Sequence, residues 1–401
     1  MPHVRSVAVG IWLTRGSRHE PAENAGIAHF VEHMLFKGTP SRSAEAIAQQ
    51  VDSIGGQIDA FTSKEYAGYY LKVLDEHLPL AVEILADLIC NPLFAEEDIE
   101  REKKVILEEI KMVEDTPDDL VHEIFAENFW SNHPLGRPIL GTPPSVNALD
   151  RATLQDYFSK TYVASNFVVV AVGNLEHWRV QDLLEKALKN APHNGPDADH
   201  SPPSVATVIE VRKKDLEQSH VVFGTEALPQ HHPERYAGYA LNTTLGGSMS
   251  SRLFQNVREK RGLAYSVFSG LSAYQDAGAL SIYAGCANDA VAELIDVVVA
   301  EIRQMKADGL DPVELRRAKD HLKGSLMLGL ESTSSRMSHL ARQEMYRDQT
   351  FGLDEMLAAI EKVTADDVLR LADRFFTDGS LAVTVLGNVN GLQVTKEQLA
   401  L

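Results

Sequence analysis

The sequence predicts an α+β fold made of two duplicated units, each a mostly antiparallel sheet with helices packed on it. Three observations point to this. The order strand, two helices, hairpin, two long helices occurs twice along the chain. A stretch rich in proline and poor in apolar residues, Ala191 to Ser204, separates the two occurrences. Local sequence echoes at equivalent places: Asn91-Pro92-Leu93-Phe94-Ala95-Glu96-Glu97-Asp98 is answered by Asp308-Gly309-Leu310-Asp311-Pro312-Val313-Glu314. The expected domains are therefore residues 1–190 and 205–401, joined by a linker over 191–204.

The first half opens with an alternating strand, Val4 to Leu13. The segment Asn24 to Gly38 has helix punctuation, with Asn24 as N-cap, Gly38 past the last turn and Pro40 beyond it. Ile27, Phe30, Val31, Met34 and Leu35 recur at the spacing of a buried stripe, which leaves His29, Glu32, His33 and Phe36 on the opposite face. Ser41-Arg42-Ser43 starts a second helix, with Ile47, Val51 and Ile54 on one side, and Gly55-Gly56 closes it. Gln57 to Val73 is a hairpin turning at Ser63-Lys64. Helices follow over Glu76–Cys90 and Ala95–Val113, the latter with Ile99, Val105, Ile106 and Ile110 as its apolar positions. Helices at Asp118–Trp130, Arg151–Thr161 and Glu176–Asn190 and a strand at Phe167–Gly173 complete the half.

Beyond the linker, strands at Ala206–Arg212 and His220–Thr225 lead to a helix at Pro233–Leu245 and a break at Gly246-Gly247. A helix at Ser250–Lys260 precedes a hairpin, Leu263–Ala273 with Ala279–Ala287, and then helices at Asp289–Lys306 and Pro312–Leu330. Tyr236 to Leu245 fills the slot that the His29-containing helix fills in the first half. Any chemistry specific to that helix therefore belongs to one half alone.

Composition narrows the function. With 401 residues, 44% hydrophobic and 24% charged, the chain is globular and long enough for two sizeable cores. A formal charge of −19 argues against a nucleic-acid partner, whose phosphates demand a basic face, and favours basic peptides. No apolar run reaches the ~20 residues of a membrane span. The start, Met1-Pro2-His3-Val4-Arg5, lacks the apolar core of a secretory signal, so a cytoplasmic location is expected unless the amino end is trimmed. Cys90 and Cys286 are too few for a disulfide framework.

His29-Phe30-Val31-Glu32-His33 is the segment with chemical potential. Imidazoles at i and i+4 reach one divalent ion while the intervening carboxylate projects beside it. The order His-x-x-Glu-His is an inverted zinc-peptidase signature. A solvated helix face carrying the same residues is the competing account, and a third protein ligand has to decide between them. On the helix Ala95–Val113, Glu102 and Glu109 share a face two turns apart, whereas Glu108 and Glu114 lie elsewhere.

At this point the chain resembles the pitrilysin-type metallopeptidases, in particular bacterial processing-peptidase-like members related to mitochondrial processing peptidase. The matching residues are His29-x-x-Glu32-His33, Glu109 within Arg101 to Ile110, Gly55-Gly56-x-x-Asp59-Ala60-Phe61-Thr62, and Asn91-Pro92-Leu93-Phe94. The second half adds Leu245-Gly246-Gly247-Ser248-Met249-Ser250-Ser251-Arg252-Leu253-Phe254 and Arg258 to Tyr265. The resemblance implies zinc held by His29, His33 and Glu109, with Glu32 as general base and Glu102 as a supporting acid. It also implies that Arg258 and Tyr265 hold substrate and assist the reacting carbonyl. Asp59, Ala60 and Phe61 fall on the strand that pairs with bound peptide, where the family often has Asn at the position of Asp59. Relatives enclose peptide substrates in a clamshell-like chamber, pair as homodimers, and begin with one strand more than this chain shows. The resulting expectation is a zinc metalloendopeptidase acting on unfolded or presequence-like peptides. The alternative is a non-catalytic structural or partner subunit of the same family.

Overall fold

The computed structural model describes residues 1–196, 201–347 and 351–401; part of the expected linker, 197–200, lies outside them. In chain order the first half contains β1 (Ser6–Leu13), α1 (Ile27–Leu35), α2 (Ala44–Ser53), β2 (Gln57–Thr62), β3 (Ala67–Leu74), α3 (Leu78–Cys90) and α4 (Glu96–Asp115). It continues with α5 (Pro117–Phe129), α6 (Pro143–Ala148), α7 (Arg151–Thr161), β4 (Phe167–Gly173) and α8 (His177–Ala187). The second half contains β5 (Ile209–Lys213), β6 (Gln218–Glu226), α9 (Arg235–Leu245), a π-helical turn (Phe254–Glu259), β7 (Ala264–Ala273), β8 (Gly278–Ala287), α10 (Val291–Asp308) and α11 (Pro312–Gly329). It ends with α12 (Thr333–Arg347), α13 (Leu353–Lys362), α14 (Ala365–Phe375) and β9 (Ala382–Gly387).

The duplication extends to sheet topology. The first sheet has the order β2-β3-β1-β4 and is antiparallel throughout, with Gly10 opposite both Tyr70 and Val170. The second has the order β5-β9-β6-β8-β7, antiparallel except where β5 joins β9. In chain sequence β7, β8, β6 and β9 occupy the places of β2, β3, β1 and β4, with β5 added at one edge. The fold is thus α+β, as expected.

The chain forms two compact units. One comprises Met1–Met112, Arg137–His200 and Leu328–Thr350; the other comprises Val113–Gly136, Ser201–Met327 and Phe351–Leu401. The split at 190 and 205 expected from the proline-rich stretch therefore needs two corrections, because 113–136 and 328–350 each join the unit built mainly from the opposite half. The cause is apolar surface. On α5, Val121, Ile124, Phe125 and Phe129 bury against Val222, Tyr283, Ala382 and Leu386 of the second sheet. On α12, Met337 and Ala341 bury against Ala8, Trp12 and Val172 of the first. With alternating side chains buried on both faces, β1 needs cover on both, and α12 supplies one of the two layers.

The other layer positions the functional helix. Val7, Val9, Ile11 and Leu13 of β1 pack with Ile27, Phe30, Val31, Met34 and Leu35 of α1 and with Leu78, Val82 and Leu85 of α3. The apolar stripe expected on α1 is buried in full. Helix α4 differs from expectation at one position, since Val105 is 41% exposed while Glu102 is 3% exposed and takes its place among the buried residues. The stretch Ser250–Lys260, expected as an α-helix, is mainly a π-helical turn. The elements from α12 to β9 lie beyond Leu330, past the last helix that the sequence pattern predicts.

Candidate metal centre

The start of α1 is set by groups that the sequence pattern does not reveal. Asn24 is not its N-cap; it lies in a short 3-10 turn, Ala22–Asn24. The cap position is Gly26, with φ of +95° in the left-handed region, where an added Cβ would come 2.7 Å from the Leu140 carbonyl oxygen. With no capping side chain at that position, the buried Glu20 carboxylate accepts hydrogen bonds from the backbone N–H groups of Gly26 (2.9 Å) and Ala28 (2.8 Å). An anion at a helix N-terminus is favoured by both the unpaired N–H groups and the helix dipole.

From that fixed start, His29, Glu32 and His33 project from the face opposite the buried stripe. The two imidazole rings sit 4.6 Å apart, edge to face. Glu109, two turns after Glu102 on α4, brings Oε2 to 3.7 Å from His29 Nε2 and 3.6 Å from His33 Nε2. Among the described residues, His29, His33 and Glu109 are the one group of three whose ligand atoms lie within 4.8 Å of one another. Glu109 Oε2 is buried and has no hydrogen-bond partner among the described residues. Distances of 3.6–3.7 Å are too long for hydrogen bonds. They approach the ~3.4 Å between two ligands that share one tetrahedral ion at about 2.1 Å from each. The donor set therefore fits a zinc ion, since an orphaned carboxylate oxygen converges on two imidazole nitrogens.

The surrounding charges suit that fit. Burial, helped by the nearby His33, lowers the His29 pKa to about 3, so the ring stays neutral and keeps a lone pair for a metal. His33 Nδ1 lies 3.0 Å from Glu102 Oε2. A carboxylate acceptor there places the proton on Nδ1 and leaves Nε2 as a ligand. The other Glu102 oxygen pairs with Lys37 Nζ at 2.8 Å. Burial pushes the Glu102 pKa up, but the hydrogen bonds from Lys37 and His33 outweigh it and hold the carboxyl below its ordinary range. Glu108 points outward to Lys111 and takes no part.

Glu32 accepts a hydrogen bond at Oε2 from the Thr62 hydroxyl at the end of β2. Its pKa is raised, chiefly by burial, with Asp59 and Glu109 adding to the rise while Thr62 and His33 oppose it. A carboxyl so tuned can hold a proton nearer neutrality than an exposed glutamate. Lys37 and Glu20 are residues of this site that the motif did not reveal, and Thr62 closed the matching run Gly55 to Thr62 without a role of its own. Lys37 falls four positions after His33, adjacent to the signal.

Asp59, Ala60 and Phe61 lie on β2, which among the described residues pairs with β3 alone and so leaves one edge open. The exposed Asp59 side chain is occupied within its own hairpin, with Oδ1 accepting from the Ala60 N–H and Oδ2 from the Tyr70 hydroxyl. Phe61 packs edge to face on Tyr66. In the second unit, Arg258 at the π-helical turn stacks its guanidinium 4.7 Å from the ring of Tyr265, on edge strand β7, and 4.8 Å from that of Phe254. Tyr265 is 78% exposed, which replaces the picture of a core aromatic that its strand position alone would give.

Comparison with known proteins gives the family. Residues 1–143 match the family model described as insulinase, peptidase family M16, and residues 148–322 match the one described as the peptidase M16 inactive domain. An uncharacterized zinc protease of Bacillus subtilis, YmxG, is 43% identical over 94% of this chain and 92% of its own length. A counterpart from Mycobacterium bovis, also designated an uncharacterized zinc protease, is 40% identical over 100% of this chain and 92% of its own. Among solved structures, a protease from Helicobacter pylori superposes with a TM-score of 0.89 at 24% identity, covering 96% of this chain and 94% of that one. A Pseudomonas fluorescens structure described as a peptidase M16 inactive domain superposes with a TM-score of 0.92 at 21% identity, covering 98% and 95%. With both halves matched and relatives similar over nearly its whole length, the chain belongs to peptidase family M16, the pitrilysin-type metallopeptidases.

Proposed function

We propose that the protein is a zinc-dependent metalloendopeptidase acting on unfolded or presequence-like peptides, with His29, His33 and Glu109 as ligands. The convergence of Glu109 Oε2 on both imidazole Nε2 atoms, beside Glu32 on the same helix, is the observation that supports it most. When bound, Zn²⁺ supplies polarisation of the scissile carbonyl and lowers the pKa of a coordinated water toward ~7.

The chain's own groups do the rest. Glu32, oriented by Thr62 at Oε2, takes the proton of the attacking water and passes it to the leaving amine. Glu102 keeps the His33 ring turned so that Nε2 faces Glu109. The open edge of β2, with Asp59, Ala60 and Phe61, takes up the peptide as an added strand, so backbone hydrogen bonds give grip with little sequence preference. Arg258 anchors the peptide and Tyr265 donates to the developing oxyanion. No helix among the described residues is long and apolar enough to cross a membrane. A cytoplasmic homodimer completes the proposal, and light scattering after gel filtration tests the pairing.

The rival is a non-catalytic partner subunit, for which the match of residues 148–322 to an inactive-domain model is the favouring observation. That match begins beyond the His-x-x-Glu-His segment and beyond Glu109, whereas residues 1–143, matched to the peptidase model, hold the proposed ligands and base together. A peptidase assay on an unfolded basic peptide separates the two. The parent cleaves, a chelator abolishes cleavage and added zinc restores it. Glu32→Gln keeps its zinc and loses turnover by ~10²–10⁴. Cleavage by Glu32→Gln at the parent rate removes the proposed base, and zinc binding by the parent without cleavage of any peptide supports the rival.

A further inference from the structure

Lys37 follows α1 at the point where the chain leaves the helix, with its backbone N–H still bonded to the Met34 carbonyl. A cation is favoured there by the helix dipole, but exposure to solvent would satisfy that preference. The ammonium instead reaches the Glu102 carboxylate, whose side chain is only 4% exposed, while Lys37 itself is 31% exposed. A lysine–carboxylate pair on an open surface is worth little, because water competes for both charges. Here one partner is enclosed, and its two oxygens are divided between two different groups: Oε1 to Lys37 Nζ at 2.8 Å and Oε2 to His33 Nδ1 at 3.0 Å.

That division has a geometric consequence. The terminal torsion of a glutamate is broad, so a single hydrogen bond leaves the carboxylate plane loosely defined. Two partners on opposite oxygens fix it. The pair also joins the two helices that supply the three candidate ligands, since His29 and His33 stand on α1 and Glu109 stands on α4, two turns beyond Glu102. We propose that Lys37 is a positioning residue for the metal centre: by holding Glu102 Oε1 it aims Oε2 at His33 Nδ1, and so fixes the His33 ring with Nε2 toward Glu109. The inference rests on the zinc reading above and extends it to a residue that touches neither the ion nor substrate.

The test is zinc affinity, measured by competition with a chromophoric chelator on the full-length protein. Lys37→Met weakens zinc binding by ~10–100-fold, as loss of a group supporting a metal-bound histidine does. Lys37→Arg keeps a charged donor and restores most of the affinity. Because Lys37 acts through Glu102, the double variant Lys37→Met/Glu102→Gln binds zinc no more weakly than Glu102→Gln alone. If Lys37→Met does not fold, Lys37→Gln provides the same comparison. Parent-like affinity in the Lys37 variants, or losses that add in the double variant, overturns the proposal. A lowered melting temperature of the metal-free protein with unchanged affinity also overturns it, since the role is then structural only. Failure of the zinc reading itself shows separately, as a parent whose zinc binding is indifferent to His33→Ala, and it takes this proposal with it.

Discussion

Replacing Glu20 by Gln tests how the metal-bearing helix is held at its start. The carboxylate is 5% exposed and accepts two backbone N–H groups, from Gly26 and Ala28. Opposing influences act on it: burial raises its pKa, the two amides and the charges of Lys64 and Arg137 lower it, and burial prevails to place it at about 7 against 4.5 for an ordinary glutamate. A folded-state pKa above the unfolded value means that the folded chain retains a proton which the unfolded chain has released. The associated stability is fully present below pH 4.5 and is lost as pH rises through 7. Between pH 5.5 and 8 the loss amounts to about 2 kcal/mol. Other titrating groups contribute as well, notably His29 with its opposite shift to about 3, but the parent and the variant share them. The assay is chemical denaturation of both proteins at the two pH values with zinc removed. The stability of the parent relative to Glu20→Gln falls by about 2 kcal/mol from pH 5.5 to pH 8. A difference that is constant or grows toward pH 8 refutes the reasoning, since the two amides would then outweigh burial.

Three further outcomes follow from the packing and hydrogen bonding of the first unit. Phe30, fully buried beneath the motif, costs ~3–5 kcal/mol on substitution by Ala; a loss under ~1 kcal/mol in denaturation would show that the apolar stripe does not clamp α1. Thr62→Val removes the hydroxyl that orients Glu32 and lowers kcat by roughly tenfold with KM and zinc content unchanged, while Thr62→Ser retains activity; equal kcat in Val and parent excludes the orienting role. Arg42 pairs with Asp87 at 2.8 Å, and their side chains are 10% and 12% exposed, so Arg42→Met costs about 3 kcal/mol by leaving Asp87 without its cation. An unchanged denaturation midpoint would show that Thr39 and Ser41, which also donate to Asp87, suffice to hold it.

What the sequence made legible was local. The stripe on α1, the opposite face with His29, Glu32 and His33, and the shared face of Glu102 and Glu109 all depend on helical periodicity, which short-range spacing encodes directly. The hairpins and the order of elements were legible for the same reason, and the duplication followed from them. The parts that escaped depend on groups distant in the chain. Glu20 replaces a conventional N-cap by reaching six and eight positions forward to Gly26 and Ala28, outside any capping pattern. Val105 and Glu102 exchanged burial because the partner of Glu102 is a lysine just past the end of α1, and an apolar count cannot register an ion pair. The exchange of α5 and α12 between units was hidden as well. A helix's periodicity says which face is buried and nothing about which sheet buries it. Arg258 and Tyr265 read as ordinary residues without the family resemblance, and their stacking across a π-helical turn has no simple periodic signature.

Zinc content of single variants, measured by elemental analysis and chelator competition, tests the central claim most directly. The parent binds one zinc per chain at this site; His33→Ala and Glu109→Ala lower the affinity by orders of magnitude, and Glu108→Ala, on the outward face, leaves it unchanged. Retention of parent stoichiometry and affinity by Glu109→Ala contradicts the account, because two imidazoles on one helix would then hold the ion without the distant carboxylate that turns the motif into a catalytic centre.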